Sequence, residues 1–307
     1  MEKIRIYESF DQDFGKCVVM ENDHAKLWVT IDFGPRILHY SRAGMDNILY
    51  QDKSKKPLGE VFPEYEGDVL RLYGGHRLWI SPEALPRCYH PDNKPVEYKE
   101  TPGRMEFIAP VEKHTGLQKS LTISLSEDCS RVSIVHKITN HSLWPVQLAP
   151  WALTMMSAGG VAVIPSSGPP TGLLPNRLLA LWDYTDLNDK RLAFGKKCIM
   201  AQQKPDVQHA VKLGLYSHSG YAAYFNRGQL FIKDFEVMDG HFPDFGCNYE
   251  MYTGPDFLES ETLGPLTTLE SGQSVLHNEN WRIFAEDAMP EDEDAALEII
   301  GKYAKNS

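Results

Sequence analysis

Hydrophobic and polar residues alternate with a period of two along much of this chain, and short turns rather than helical stretches interrupt the pattern. In "QKSLTISLSED", Leu121, Ile123 and Leu125 fall on one side of an extended chain, Thr122 and Ser124 on the other. "RVSIVHKITNHS" repeats this with Val132, Ile134, His136 and Ile138. The runs "KLWVTIDFG", "RMEFIAP", "PVQLAPWALTMM", "YAAYFNRGQLFIKDFEV" and "NYEMYTG" are rich in the β-branched and aromatic residues that suit a pleated surface. Between the runs, "SEDCSR", "NRGQ", "TGPD" and "ESGQ" read as hairpin turns. One segment follows another period. "EDEDAALEIIGKYAKNS" opens with acids and sets Ala296, Ile299, Ile300 and Tyr303 on one helical stripe, which predicts a terminal helix docked on the outside of a sheet.

The pattern predicts an all-β fold, an antiparallel sandwich of large sheets with a C-terminal helix. No linker-like stretch divides residues 1–307, so one domain is expected. The absence of helix–strand alternation removes a parallel doubly wound sheet or an α/β barrel. No repeat of 20–50 residues suggests a propeller or solenoid. Ser166 to Lys197, with "PSSGPPTGLLPNR", reads as a long loop of the kind that borders clefts.

Composition narrows the function. With 42% hydrophobic and 24% charged residues the chain is globular, and no apolar run is long enough for a membrane helix. A formal net charge of -11 with scattered Lys and Arg argues against nucleic acid. The charged N-terminal segment does not read as a secretory signal, and five widely spaced cysteines read as free thiols, so a cytoplasmic protein is expected. There is no phosphate-cradling glycine loop, no serine-hydrolase elbow and no HExxH or tight His/Asp cluster, so neither a cofactor nor a metal is implied.

Three clusters could carry chemistry. "YGGHRLWISPE" follows Gly74 and Gly75 with His76 and Arg77, which point to opposite faces of a strand, and Trp79 shares a face with Arg77. His76 is either a proton donor or acceptor near neutral pH or a histidine bonded to a neighbouring turn. In "CNYEMYTGPDFLESETLGPLTTLESGQSVLHNENWRIF", Glu250 with Tyr252, Glu259 with Glu261, and His277 with Glu279 and Trp281 each share a face. If these three strands are adjacent, they form a carboxylate-bearing wall with aromatic panels, suited to the hydroxyls and CH face of a sugar. The alternative is an ordinary solvated sheet face. Arg36 in "DFGPRILHY" begins a strand and is either a ligand-binding fork or a surface ion-pair partner.

"GGHRLWISPE", "ITNHSLWPVQLAPWALT" and the late segment "NYEMYTG" to "NENWRIF" resemble the galactose mutarotase-like superfamily, in particular its poorly characterised bacterial branch. The likeness runs in order from Gly34 to Phe284. It implies a β-supersandwich whose concave sheet binds a small-molecule carbohydrate. In the family's aldose 1-epimerases a histidine protonates the ring oxygen while a late glutamate takes the anomeric proton. Carried over, His76 becomes the acid and Glu261 the base, facing each other across a cleft. Arg36, Arg77, Trp79, Tyr252, Glu259, His277 and Glu279 become candidates for orienting the sugar. The chain departs from the family's pattern, since no second histidine follows in a matching context, with His141 and His241 as the candidates. Glu270 and Glu279 compete with Glu261 for the late glutamate. Three functions follow: an aldose 1-epimerase-like isomerase, a sugar-binding or sensor protein without catalysis, and a uronate lyase using Arg36 or Arg77 against the substrate carboxylate. The sequence does not fix the oligomeric state.

Overall fold

The computed structural model describes residues 4–304. Two antiparallel sheets pack face to face. The first runs, edge to edge, through Arg5–Asp11, Gly15–Glu21, Ala25–Thr30, Ile37–Arg42, His76–Ser81, Val146–Ser157, Phe257–Leu263, Tyr249–Thr253, Val211–Leu215 and Leu179–Leu181, with Thr267–Leu269 paired to one end of Val146–Ser157. The second runs through Leu192–Phe194, Cys198–Gln202, Val161–Pro165, Tyr221–Asn226, Gln229–Phe235, Ser274–Ala285, Val132–Asn140, Leu117–Leu125, Arg104–Ile108 and Glu97–Thr101. This is the predicted antiparallel sandwich. The alternating runs supply the core: Leu121, Ile123, Leu125, Val132, Ile134 and Ile138 of the second sheet are buried with Leu27, Ile37, Leu78, Ile80 and Met251 of the first.

The helix Glu293–Ala304 packs Ala296, Ile299 and Ile300 on Val163, Phe225 and Ile232, the outer face of the second sheet. The predicted helical segment continues to Ser307, and its last three residues lie outside those described. Residues 166–197 are less loose than expected, because Leu179–Leu181 and Leu192–Phe194 add short strands to the two sheets. Gly74 and Gly75 take φ of +92° and +66°, and a Cβ at either would collide with the carbonyl oxygen of Tyr50 or Ile37. The chain can thus turn sharply into the His76–Ser81 strand against two neighbouring backbones.

Polar groups also enter the space between the sheets. Lys233 Nζ donates to Thr154 Oγ1 at 2.6 Å, to the Ser260 carbonyl at 2.9 Å and to Glu279 Oε1 at 3.0 Å. His76 Nδ1 lies 2.8 Å from Thr154 Oγ1, His76 Nε2 2.7 Å from His136 Nε2, and His136 Nδ1 2.8 Å from the His277 carbonyl. Only an N–H can face that carbonyl, so with neutral rings His136 Nε2 accepts from His76 Nε2–H and His76 Nδ1 accepts from Thr154. Trp281 Nε1 and Thr262 Oγ1 donate to Glu279, and Thr262 Oγ1 lies 2.7 Å from His277 Nε2. Every member is satisfied, as a buried network requires. Burial holds His76 and His136 below the ordinary histidine range and His277 down to about 3. Burial alone would raise Glu279, but Lys233 and the histidines outweigh it and hold the carboxyl low.

Arg36 is not a surface pair but a fully buried clamp. Its Nε and Nη2 donate to Asp92 at 2.7 and 3.0 Å, and Nη1 and Nη2 to the carbonyls of Leu72 and Arg71. All three nitrogens are engaged, which corrects the expectation that Arg36 orients a ligand.

Two stability measurements test this picture. Asp92→Ala leaves the buried guanidinium without its counter-charge and should cost about 2–4 kcal/mol by urea unfolding, Asp92 being partly exposed; a loss under about 1 kcal/mol would make the clamp unimportant. For His277, the folded-state pKa of about 3 lies below the ~6.5 of an unfolded histidine. Between those values the unfolded chain holds a proton the native one lacks, so stability falls as pH falls. His277→Gln should make that fall shallower by up to ~1.4 kcal/mol per pH unit in the same window. Parallel curves for the two proteins would contradict it.

Candidate functional site

The first sheet carries a second polar face, turned away from the sandwich interior. Antiparallel register sets its side chains in rows across five strands. One row is Trp79, Trp151 and Leu263; the next is Arg77, Leu153, Glu261, Glu250 and Gly214; the third is Met155, Glu259, Tyr252 and Lys212. Alternation forces this outcome, since each named residue is two positions from the next on its own strand. Gly214 leaves the space beside Glu250 that a Cβ would fill. Trp182 and Tyr184 of the long loop, with Glu83 and Tyr89, complete a cavity of about 370 Å³ over the rows.

Lys212 stands at its centre of charge. Its ammonium lies 2.8 Å from Glu250 Oε2 and 3.1 Å from Glu261 Oε2, and 4.6 Å from the centroids of both Trp151 and Trp182. Burial alone would lower its pKa, but Glu261 and Glu250 more than offset that and raise it. Burial pushes the Glu250 carboxyl well up, against the pull of Lys212. Glu261 also accepts from Trp151 Nε1 at 2.8 Å, while its Oε1 has no partner among the described residues. Glu259 borders the cavity, and burial with the neighbouring Glu261 pushes it up to about 7. Arg77 stacks on Trp79 at 4.3 Å and reaches Glu259 Oε1 only at 3.5 Å.

The predicted residues therefore divide. Arg77, Trp79, Tyr252, Glu259 and Glu261 share the cavity face, with Glu261 fully buried behind the lining residues. His76, His277 and Glu279 do not. His76 alternates with Arg77, and so points through the sheet into the sandwich, away from Glu261. His277, Glu279 and Trp281 belong to the second sheet, so the expected wall of three adjacent strands has two. Glu270 is exposed at a turn, and His141 and His241 are exposed as well. Reasoning from sequence missed Trp151, Lys212, Trp182 and Tyr184. A lone lysine inside the apolar run "VKLGL" was a signal for Lys212, since an unpaired ammonium there would be costly.

Among the described residues a metal is suggested in the interior alone, where donor atoms of His76, His136 and Glu279 lie within 4.8 Å of one another. The fit is poor. His76 Nε2 carries the proton that His136 Nε2 accepts, both Glu279 oxygens are hydrogen-bonded, and the Lys233 ammonium already neutralises that carboxylate.

No protein-family model and no curated protein matches the sequence. Solved structures do. A TPR-domain containing protein from Parabacteroides distasonis ATCC 8503 superposes with a TM-score of 0.61 at 13% identity, covering 90% of this chain; the chain spans only 48% of that protein. A provisionally assigned aldose 1-epimerase from Klebsiella pneumoniae subsp. pneumoniae MGH 78578 gives 0.61 at 13% identity over 94% of this chain and 83% of that one. A galactose mutarotase-like protein from Lactobacillus casei ATCC 334 gives 0.56 at 11% identity over 87% and 100%. Identities this low speak to architecture, and the chain has the galactose mutarotase-like sandwich fold.

Proposed function

We propose that this protein binds a small-molecule carbohydrate in the cavity of the first sheet and interconverts its anomers, an aldose 1-epimerase-like isomerase built as one domain. The observation that carries this reading is a carboxylic acid, Glu259, poised near neutral pH at a cavity walled by Trp79, Trp151, Trp182, Tyr184 and Tyr252. Aromatic faces suit the CH surface of a sugar ring, and the carboxylates and cations beside them suit its hydroxyls.

Mutarotation requires a base for the anomeric O–H and a donor for the ring oxygen as its bond to the anomeric carbon breaks. Glu259 takes the first role, since it borders the cavity and gives and takes a proton near pH 7. Lys212, which also borders the cavity, is held charged by Glu261 and Glu250 and donates toward the ring oxygen. Glu261 then serves as the buried counter-charge that positions Lys212 rather than as the base itself. Bond rotation in the open-chain aldehyde and ring closure by the reverse proton transfers yield the other anomer.

A second reading has one observation in its favour. The histidine that the resemblance makes the acid is inside the sandwich, and no histidine lines the cavity among the described residues. That would suit a sugar-binding protein without catalysis.

Exchange NMR between α and β anomers across an aldose panel separates the two. An isomerase should speed exchange for at least one sugar, with a rate that rises through about pH 7 as Glu259 ionises. Glu259→Gln should lower it ~10²–10⁴-fold and abolish that limb, whereas His76→Gln should act on stability more than on rate. Binding without accelerated exchange would leave the non-catalytic reading.

A further inference from the structure

We infer that the sugar this cleft takes carries a carboxylate, and that Arg77 receives it; the inference rests on the carbohydrate reading above. Arg77 is 5% exposed, yet its Nε and Nη1 have no partner among the described residues, and its Nη2 has only the long contact to Glu259. A buried guanidinium left this way is costly unless something else completes it. Burial lowers its pKa to about 10, the mark of a cation short of counter-charge.

Its one acidic contact is Glu259 at 3.5 Å, a carboxyl that is itself pushed up to about 7, and the other carboxylates nearby are engaged elsewhere. Arg77 borders the cleft on one side and on the other a smaller void of about 70 Å³ that also touches Asp92 and Glu112. Asp92 is taken by Arg36, and Glu112 by Lys119 at 2.6 Å. Within the cleft, Glu250 and Glu261 are turned to Lys212. The guanidinium carbon also lies over the Trp79 ring, 4.3 Å from its centroid, a cation–π contact that anchors it beside the cleft.

The chemistry of a hexuronate fits this placement. The carbon that bears its carboxylate and its anomeric carbon are the two carbons bonded to the ring oxygen. A carboxylate on Arg77 therefore brings the anomeric centre beside Glu259, which is already 3.5 Å from the guanidinium. A planar monoanion matches a single guanidinium bidentately. A phosphate dianion matches it less well, because three glutamates share this face and the other cation is engaged by two of them.

The test uses matched pairs: D-glucuronate and D-glucose, D-galacturonate and D-galactose, D-mannuronate and D-mannose, and the three hexose 6-phosphates, titrated by saturation-transfer NMR. At least one hexuronate should bind about tenfold or more tightly than its own hexose. Arg77→Met should erase that preference and Arg77→Lys retain part of it. Thermal unfolding verifies that the Met variant, which also loses the 3.5 Å contact to Glu259, is folded at the temperature of the titration. Hexoses that bind as tightly as their uronates would overturn the inference and leave the carbohydrate reading in place. Phosphates that bind more tightly than uronates would overturn the carboxylate assignment. Failure of every sugar to bind would sink the inference together with the reading beneath it.

Discussion

Three carboxylates cannot share one buried sheet face without a cation among them, and Lys212 is that cation. Glu250 and Glu261 are fully buried and Glu259 nearly so. With like charges on adjacent strands, the cross-strand pair Glu250 and Glu261 would repel directly. The ammonium between them turns repulsion into a bridge, and the rings of Trp151 and Trp182 keep it out of water, where the attraction would be screened. The consequences spread outward. Because Lys212 is turned to the inner two glutamates, Glu259 has only the 3.5 Å contact to Arg77, and burial with the neighbouring Glu261 raises its proton affinity into the range useful at neutral pH. Because Glu259 is only loosely attached to Arg77, that guanidinium keeps unused donors. The electrostatics of the cavity follow from where one lysine falls in the register.

Much of this arrangement was legible in the sequence, and the boundary of what was legible is physical. Alternation along a strand is local, so the facing of Glu259 with Glu261, Glu250 with Tyr252, and Arg77 with Trp79 could be read without knowing the fold. The helical stripe Ala296, Ile299, Ile300 and Tyr303 was local as well. Which of two faces looks outward is not local, because it depends on what the other face meets. His76 and Arg77 were correctly set on opposite sides, but only the packing of the second sheet decides that the histidine is the inner one. Sheet membership is less local still. Phe257–Leu263 and Ser274–Ala285 are separated by ten residues, yet the chain crosses from one sheet to the other between them. The acidic and aromatic alternation of His277, Glu279 and Trp281 therefore looked like a continuation of the cavity wall when it belongs to the core opposite.

The strands that carry the cavity are polar on both faces, which is unusual for a sheet packed in a sandwich. His76–Ser81, Val146–Ser157 and Phe257–Leu263 present Arg77, Trp151, Glu259 and Glu261 outward, and His76, Thr154, Ser260 and Thr262 inward. The inward set is tied across strands and across sheets by Lys233, which donates to Thr154 on one strand, to the carbonyl of Ser260 on the next, and to Glu279 on the facing sheet. A slip of one residue in register would exchange the two faces and leave every one of these groups without its partner. An apolar interior would penalise such a slip less specifically, since hydrophobic side chains tolerate many neighbours while hydrogen bonds do not. The buried network accordingly does for the cavity what a histidine in the cavity would not. It holds Arg77, Glu259 and Glu261 in fixed rows from behind. A residue such as His76 can then matter to the site without touching anything bound there.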